Sequence, residues 1–116
     1  MTLEEFPKYF ENNNCNNNFY MERVFKIKKE YQKKLPGVAH LDNTARVQTV
    51  DNKNSPDFYK ILREFENISG FPILLNTSFN VNGEPIVNSP DDALSTFFNS
   101  GLDFLVLNNI LISKNK

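Results

Sequence analysis

The sequence predicts a mixed α/β domain. Two stretches carry apolar residues at helical spacing, each opened by Ser-Pro and closed by glycine. An apolar run of strand length follows each of them, and two earlier segments alternate as half-buried strands do. Size agrees with this: 116 residues make one domain or a piece of one, and eleven phenylalanines can fill one modest core.

At the start, Leu3, Phe6, Tyr9 and Phe10 have helical spacing, which Pro7 permits only in a first turn. "NNNCNNN", Asn12 to Asn18, comes next. Asparagine competes for its own backbone, so this run reads as a flexible connection. Residues 1–18 are therefore expected to stand apart from a main domain at 19–116. "FYMERVFKIK" at 19–28 alternates through Tyr20, Val24, Phe25 and Ile27, and reads as a strand. "KKEYQKKLPG" is a basic turn or short helix stopped by Pro36-Gly37. "VAHLDNTARVQTV", residues 38–50, reads as two short strands with a bend near Asp42-Asn43.

Ser55-Pro56 supplies an N-cap and a first-position proline. Phe58, Ile61, Leu62, Phe65 and Ile68 then form one stripe, and Gly70 stops the helix. Ser89-Pro90-Asp91-Asp92 repeats the start, with acids where a helix N-terminus is positive. Ala93, Leu94, Phe97 and Phe98 form its stripe, closed by Gly101. "FPILLN", "DFLVLNN" and "ILIS" are the expected later strands.

A net charge of −1 creates no bulk field for nucleic acid or anionic lipid, so any anion site must be local. One cysteine, Cys15, excludes a disulfide within the chain, and one histidine leaves no ordinary metal cluster. No apolar signal core opens the chain, and no run approaches the ~20 apolar residues that span a bilayer. The expected compartment is the cytoplasm. Asn67-Ile68-Ser69 and Asn76-Thr77-Ser78 then match the glycosylation pattern by coincidence.

The chemistry-bearing stretch is "LLNTSFNVNGEPIV", Leu74 to Val87. Asn82-Gly83 between apolar runs is a hairpin signal, in which Asn76, Thr77 and Ser78 merely satisfy the loop backbone. The same residues also suit an oxyanion. Backbone N–H groups with Ser78, Thr77, Asn76 and Asn80 can converge on it, and Gly83 lets the chain come close. Glu84 beside Pro85 could bind a substrate amide or hydroxyl, or be a surface acid. Positive charge is available from Arg46. In "TARVQTV" Arg46, Gln48 and Val50 share one strand face and Ala45, Val47 and Thr49 the other. Its planar fork suits phosphate or carboxylate. An edge-strand arginine paired to an acid fits the spacing equally. His40 and Asp42, two apart, could orient a histidine for proton transfer or form a structural hydrogen bond.

Three strings occur in order: His-x-Asp-x-Thr-Ala-Arg-x-Gln-Thr-Val from His40, Leu-Leu-Asn-Thr-Ser-Phe-Asn-x-x-Gly-Glu-Pro-Ile-Val from Leu74, and Pro-x-Asp-Ala from Pro90. From about Phe19 to Ser113 the chain resembles the C-terminal region of the O-carbamoyltransferases of nodulation and antibiotic tailoring. The resemblance implies a partial YrdC-like fold, a twisted mixed sheet with two main amphipathic helices. It implies carbamoyl phosphate and ATP with Mg²⁺ as ligands, carbamoyl-adenylate as product, and a larger N-terminal actin-like domain that passes the group to a hydroxyl. The YrdC string Ser-x-Asn-x-x-Gly-x-Pro is matched by Ser78, Asn80, Gly83 and Pro85. By the same likeness Arg46 falls on the phosphate-bearing substrate, flanked by Asn76 and Thr77.

The departures are specific. The family's Lys-x-Arg-Glu and Arg-Pro-Phe-Ala-Pro segment has no counterpart, and neither has the actin-like domain. Asn43 stands where the family has glycine. The sequence thus reads as the final part of a carbamoyltransferase, partnered by the missing domain in cis or in trans. The alternative is an inactive assembly module that pairs with another chain, or self-associates into a homo-oligomer through exposed apolar surface.

Overall fold

A computed structural model describes residues 1–11 and 17–114 of the chain. Cys15 and the Asn12–Asn16 part of the expected flexible connection lie outside the described residues. The chain divides into two compact units, Met1–Leu75 and Asn76–Lys116. Each is mixed α and β with small antiparallel sheets. Among the described residues no helix is long and apolar enough to cross a membrane.

The first unit holds α1 (Phe6–Tyr9), β1 (Phe10–Glu11), β2 (Val24–Ile27), β3 (Thr44–Arg46) and α2 (Pro56–Ser69). Its sheet runs β1-β2-β3, all antiparallel, with Phe10 opposite Ile27 and Phe25 opposite Ala45. β2 alternates as its sequence predicts: Val24 and Lys26 are exposed, Phe25 and Ile27 buried. Pro7 sits at the start of α1, where its missing N–H costs nothing. Phe6 stacks on Phe10 at 5.2 Å and meets the Phe25 ring edge-on at 4.8 Å.

Residues 1–11 therefore do not stand apart. Met1, Phe6, Tyr9 and Phe10 belong to one buried cluster with Phe25, Ile27, Leu35, Ala45 and Val47. The helical spacing was legible, but not that its apolar side closes the core. Asn18 also departs from the expected connection. It is buried, its N–H donates to Thr49 Oγ1 at 2.7 Å, and its side-chain amide donates to the Val47 carbonyl. An asparagine can satisfy backbone groups that run beyond the end of a strand ladder.

Segment 38–50 contains one strand, β3, rather than two. Beyond it Val50 bridges Thr2 in parallel, and the Met1 amine donates to the Gln48 carbonyl at 2.9 Å. Burial lowers that amine's pKa to about 6. α2 has the predicted bounds. Gly70 takes the left-handed conformation (φ 79°) and returns its N–H to Glu66 O at 2.7 Å. Ser55 is its N-cap by position, without a side-chain capping bond. Of the predicted stripe only Leu62 is buried, whereas Ile61 and Ile68 are 54% and 86% exposed.

In the second unit α3 (Pro90–Phe98) starts where expected, with Ser89 Oγ accepting the Asp92 N–H at 3.1 Å. It ends at Phe98, three residues before Gly101. β4 (Phe104–Leu107) and β5 (Ile110–Ser113) form a hairpin through Asn108-Asn109, with Asn108 at φ 52°. Leu105 of its inner face joins Ala93 and Phe97 in a small core. The outer face is also apolar: Phe104, Val106 and Leu111 are 64–66% exposed.

"FPILLN" is not a strand, and neither are Ile86 and Val87. Ile73 packs against the first core, but Leu75 and Ile86 lie exposed. Apolar runs have strand propensity, yet a strand exists only with a partner to complete its ladder.

Candidate functional site

β3 is entered through a closed bend. Asp42 Oδ1 accepts the Thr44 amide at 3.1 Å and the Thr44 hydroxyl at 2.7 Å. Asn43 between them takes φ 61°, which asparagine tolerates nearly as glycine does. His40 N–H donates to Thr44 O at 2.7 Å, and Asn43 N–H donates to His40 O at 3.0 Å. So closed, the bend brings His40 Nδ1 within 3.0 Å of Thr44 Oγ1. The Asp42 carboxyl is held below its usual range, first by the Thr44 hydroxyl and then by the Thr44 amide. His40 and Asp42 thus meet through Thr44, not as a direct pair.

Thr44 and Arg46 share one face of β3, while Ala45 points into the core. Ala45, Val47 and Thr49 are buried and Arg46 is exposed, as the alternation predicts. Val50 shares Arg46's parity but is buried, because it bridges Thr2. Among the described residues no carboxylate of this unit lies within ion-pair distance of Arg46. Its guanidinium is therefore not spent on the structural pair that the spacing also allowed.

The polar loop belongs to the second unit and is built differently. Ser78 Oγ donates to Asn80 Oδ1 at 2.5 Å. Asn80 Nδ2 donates to the carbonyls of Val81 at 3.2 Å and Glu84 at 3.0 Å. Glu84 N–H returns to Val81 O, and Val87 N–H to Phe79 O, both at 3.0 Å. The turn signal of Asn82-Gly83 is real, since Gly83 adopts φ 88°. A Cβ at Gly83 would meet nothing within 4 Å. The glycine is required by backbone angle, not by crowding. Asn76, Thr77, Ser78, Glu84 and Pro85 are exposed. Asn80 staples the loop, and Ser78 has committed its one hydroxyl hydrogen to that staple.

The predicted residues thus form two sets. His40, Asp42 and Arg46 lie in the first unit; Asn76, Thr77, Ser78, Asn80, Gly83, Glu84 and Pro85 lie in the second. Thr44 went unnamed among the sequence candidates, although His-x-Asp-x-Thr placed it in register with both neighbours. Two other places among the described residues suit an anion poorly. The N-terminus of α3 is filled by Asp91 and Asp92. A cleft of about 210 Å³ in the first unit is walled by Leu35, Val38, Phe65, Phe71 and Ile73. Its Ser69 hydroxyl already donates to Phe65 O at 2.8 Å and accepts the Phe71 N–H at 3.1 Å. Among the described residues no three His, Cys, Asp or Glu side chains converge as metal ligands.

Comparison with known proteins identifies the family. A family profile described as "Carbamoyltransferase C-terminus" matches residues 1–114. Nodulation protein NolO of Bradyrhizobium diazoefficiens is 41% identical over 95 residues, covering 82% of this chain and 17% of that protein. Nodulation protein NolNO of Sinorhizobium fredii is 39% identical over 112 residues, covering 96% of this chain and 16% of its own length. An uncharacterized protein of Synechocystis is 44% identical over 95 residues, covering 80% and 15%. The chain belongs to the carbamoyltransferase C-terminus family. It spans about one-sixth of the length of these relatives.

Proposed function

We propose that this chain is the C-terminal portion of an O-carbamoyltransferase that binds carbamoyl phosphate and ATP and forms carbamoyl-adenylate in the cytoplasm. The observation that carries the reading is Arg46: exposed, projecting from regular structure, and without a carboxylate partner among the described residues of its unit. A guanidinium so presented suits a phosphate dianion, which it can grip through two parallel N–H bonds. Asn76 and Thr77 supply neutral hydrogen-bonding groups for the same class of ligand, while Ser78, whose hydroxyl is tied to Asn80, joins Asn80, Gly83, Glu84 and Pro85 in shaping their loop. Water first cleaves carbamoyl phosphate to carbamate and inorganic phosphate; a carbamate oxygen then attacks the α-phosphorus of ATP, and the bond to pyrophosphate breaks as the new P–O bond forms. Such a step needs charge neutralisation and alignment more than a protein nucleophile. Mg²⁺ would be carried mainly by the phosphates.

The adenylate then needs an acceptor site, which this reading assigns to the remaining five-sixths of a relative-sized protein, in cis or in trans. The test is ATP–pyrophosphate exchange dependent on carbamoyl phosphate, run on this chain alone and with the N-terminal part of NolO added. Exchange in either arm supports the reading, and silence in both ends it.

A second reading rests on the apolar outer face of the β4–β5 hairpin and the exposed stripe of α2. Two-stranded hairpins are marginal alone, and sheets apolar on both faces are usually covered on both. The chain would then be an assembly module without chemistry. Binding to the N-terminal part with no exchange activity favours it; a homo-oligomer that buries the same faces favours self-association.

A further inference from the structure

The bend before β3 dictates which imidazole nitrogen His40 presents. A threonine hydroxyl has one hydrogen to donate. Asp42, an acceptor only when ionised, lies 2.7 Å from Thr44 Oγ1 and takes that hydrogen. The contact of His40 Nδ1 with the same oxygen, at 3.0 Å, must then run the other way, Nδ1–H donating to Oγ1. A neutral imidazole carries one N–H, so its lone pair sits on Nε2, at the far side of an exposed ring. The main-chain bonds of His40 with Thr44 and Asn43 hold the residue in this arrangement.

We infer that His40 Nε2 accepts a hydrogen bond from the carbamoyl NH₂ of the substrate, and that Thr44, fixed by Asp42, is its positioning residue. The inference rests on the reading of this chain as a carbamoyl phosphate site. Carbamoyl phosphate has a single kind of donor, its amide; its phosphate and carbonyl oxygens only accept. Arg46 can only donate, so it suits the phosphate or the carbonyl and cannot recognise the amide. A second carboxylate could, but would repel the phosphate dianion. A neutral nitrogen lone pair accepts from the amide without that repulsion. Such a contact selects against acetyl phosphate, which has nearly the same size and charge but carries a methyl group in place of NH₂. A site built to hydrogen-bond a group rejects the analogue that lacks it.

Two measurements test this on the 116-residue chain. The first is ¹⁵N NMR of the His40 ring at neutral pH, which needs no ligand. The expected result is a protonated Nδ1 and an unprotonated Nε2, with the preference weakened in Thr44→Val and kept in Thr44→Ser. An Nε2–H tautomer in the unmodified chain overturns the inference and leaves the carbamoyl phosphate reading standing. The second is calorimetric titration with fresh carbamoyl phosphate and with acetyl phosphate. The unmodified chain should prefer carbamoyl phosphate by on the order of tenfold or more. His40→Leu should erase the preference by weakening only carbamoyl phosphate, and His40→Gln should restore part of it through its amide oxygen. Equal affinity for the two phosphates in the unmodified chain, or a preference that survives His40→Leu, overturns the inference. If the chain binds neither phosphate, the carbamoyl phosphate reading fails, and the inference with it.

Discussion

The bend at His40–Arg46 and the loop at Ser78–Pro85 are both polar, both exposed, and both rich in Ser, Thr, Asn or Asp. They use those side chains in opposite ways. In the bend, Thr44 joins Asp42 to His40 through side chains, and Asp42 also accepts the Thr44 amide. In the loop, Asn80 turns inward and caps two carbonyls of its own chain. Residue types that look equally suited to an anion in sequence thus divide into an exposed chain of side-chain bonds and groups that hold the backbone of their own loop. One hydrogen bond can change which kind a residue is, because a hydroxyl that has donated its hydrogen can only accept.

Several measurements can break or sharpen this contrast. The largest expected effect is at Arg46. Arg46→Ala should weaken carbamoyl-phosphate binding at least tenfold, on the scale of a lost charge-assisted bond. Lys33→Ala, a change to an exposed lysine of the basic turn, should leave titration curves unchanged. Equal losses in the two variants would mean that Arg46 contributes only general charge. Next comes support beneath the bend. In the 116-residue polypeptide the Met1 amine has a folded pKa lowered to about 6 from its ordinary value near 8. The unfolded chain binds more protons between those values, so stability must rise with pH from 6 to 8, on the order of 2 kcal/mol. Hydrogen exchange should show that gain in amides of the first unit and not in those of α3, β4 and β5.

At the loop, Asn80→Ala should cost about 1 kcal/mol or somewhat more, read as faster exchange of the Glu84 and Val87 amides. A loss of phosphate binding without faster exchange would make Asn80 a ligand contact rather than a staple. Gly83→Ala should cost about 1 kcal/mol through its positive φ alone, since space is available for the methyl group. The smallest effect is acid loosening of the bend. Asp42 has a depressed folded pKa, so its contribution is present above the usual carboxylate pKa and disappears as pH falls below about 4. The Thr44 amide should then exchange faster, and Asp42→Asn should remove that pH dependence.

What could be read in advance divides along the range of the interactions. α2 and α3 start at their Ser-Pro signals, and Gly70 ends the first, because capping and φ preferences act within a turn or two. β4 and β5 are neighbours in sequence and were found with their bounds nearly right. Asn43 and Gly83 take the positive φ that their residue types allow. Ile73-Leu74-Leu75 reads equally clearly as a strand and is not one. Asn18 reads as a loop residue and is buried against Thr49 and Val47, far along the chain. Nothing local distinguishes an apolar run that has a partner from one that lacks it.

The sequence by itself determined the family, the two helices, the two strands after the second helix, and the parity that sends Arg46 outward while Ala45 goes in. Those properties follow from dihedral preference, spacing and periodicity, all local. Tertiary structure alone decided that Met1 to Phe10 complete the first core, that Asn80 serves its own loop, and that Thr44 joins Asp42 to His40. Each depends on which donor meets which acceptor, or which ring meets which face, once the chain has closed. A hydrogen or an apolar surface can be committed only once, and position in space decides where it goes.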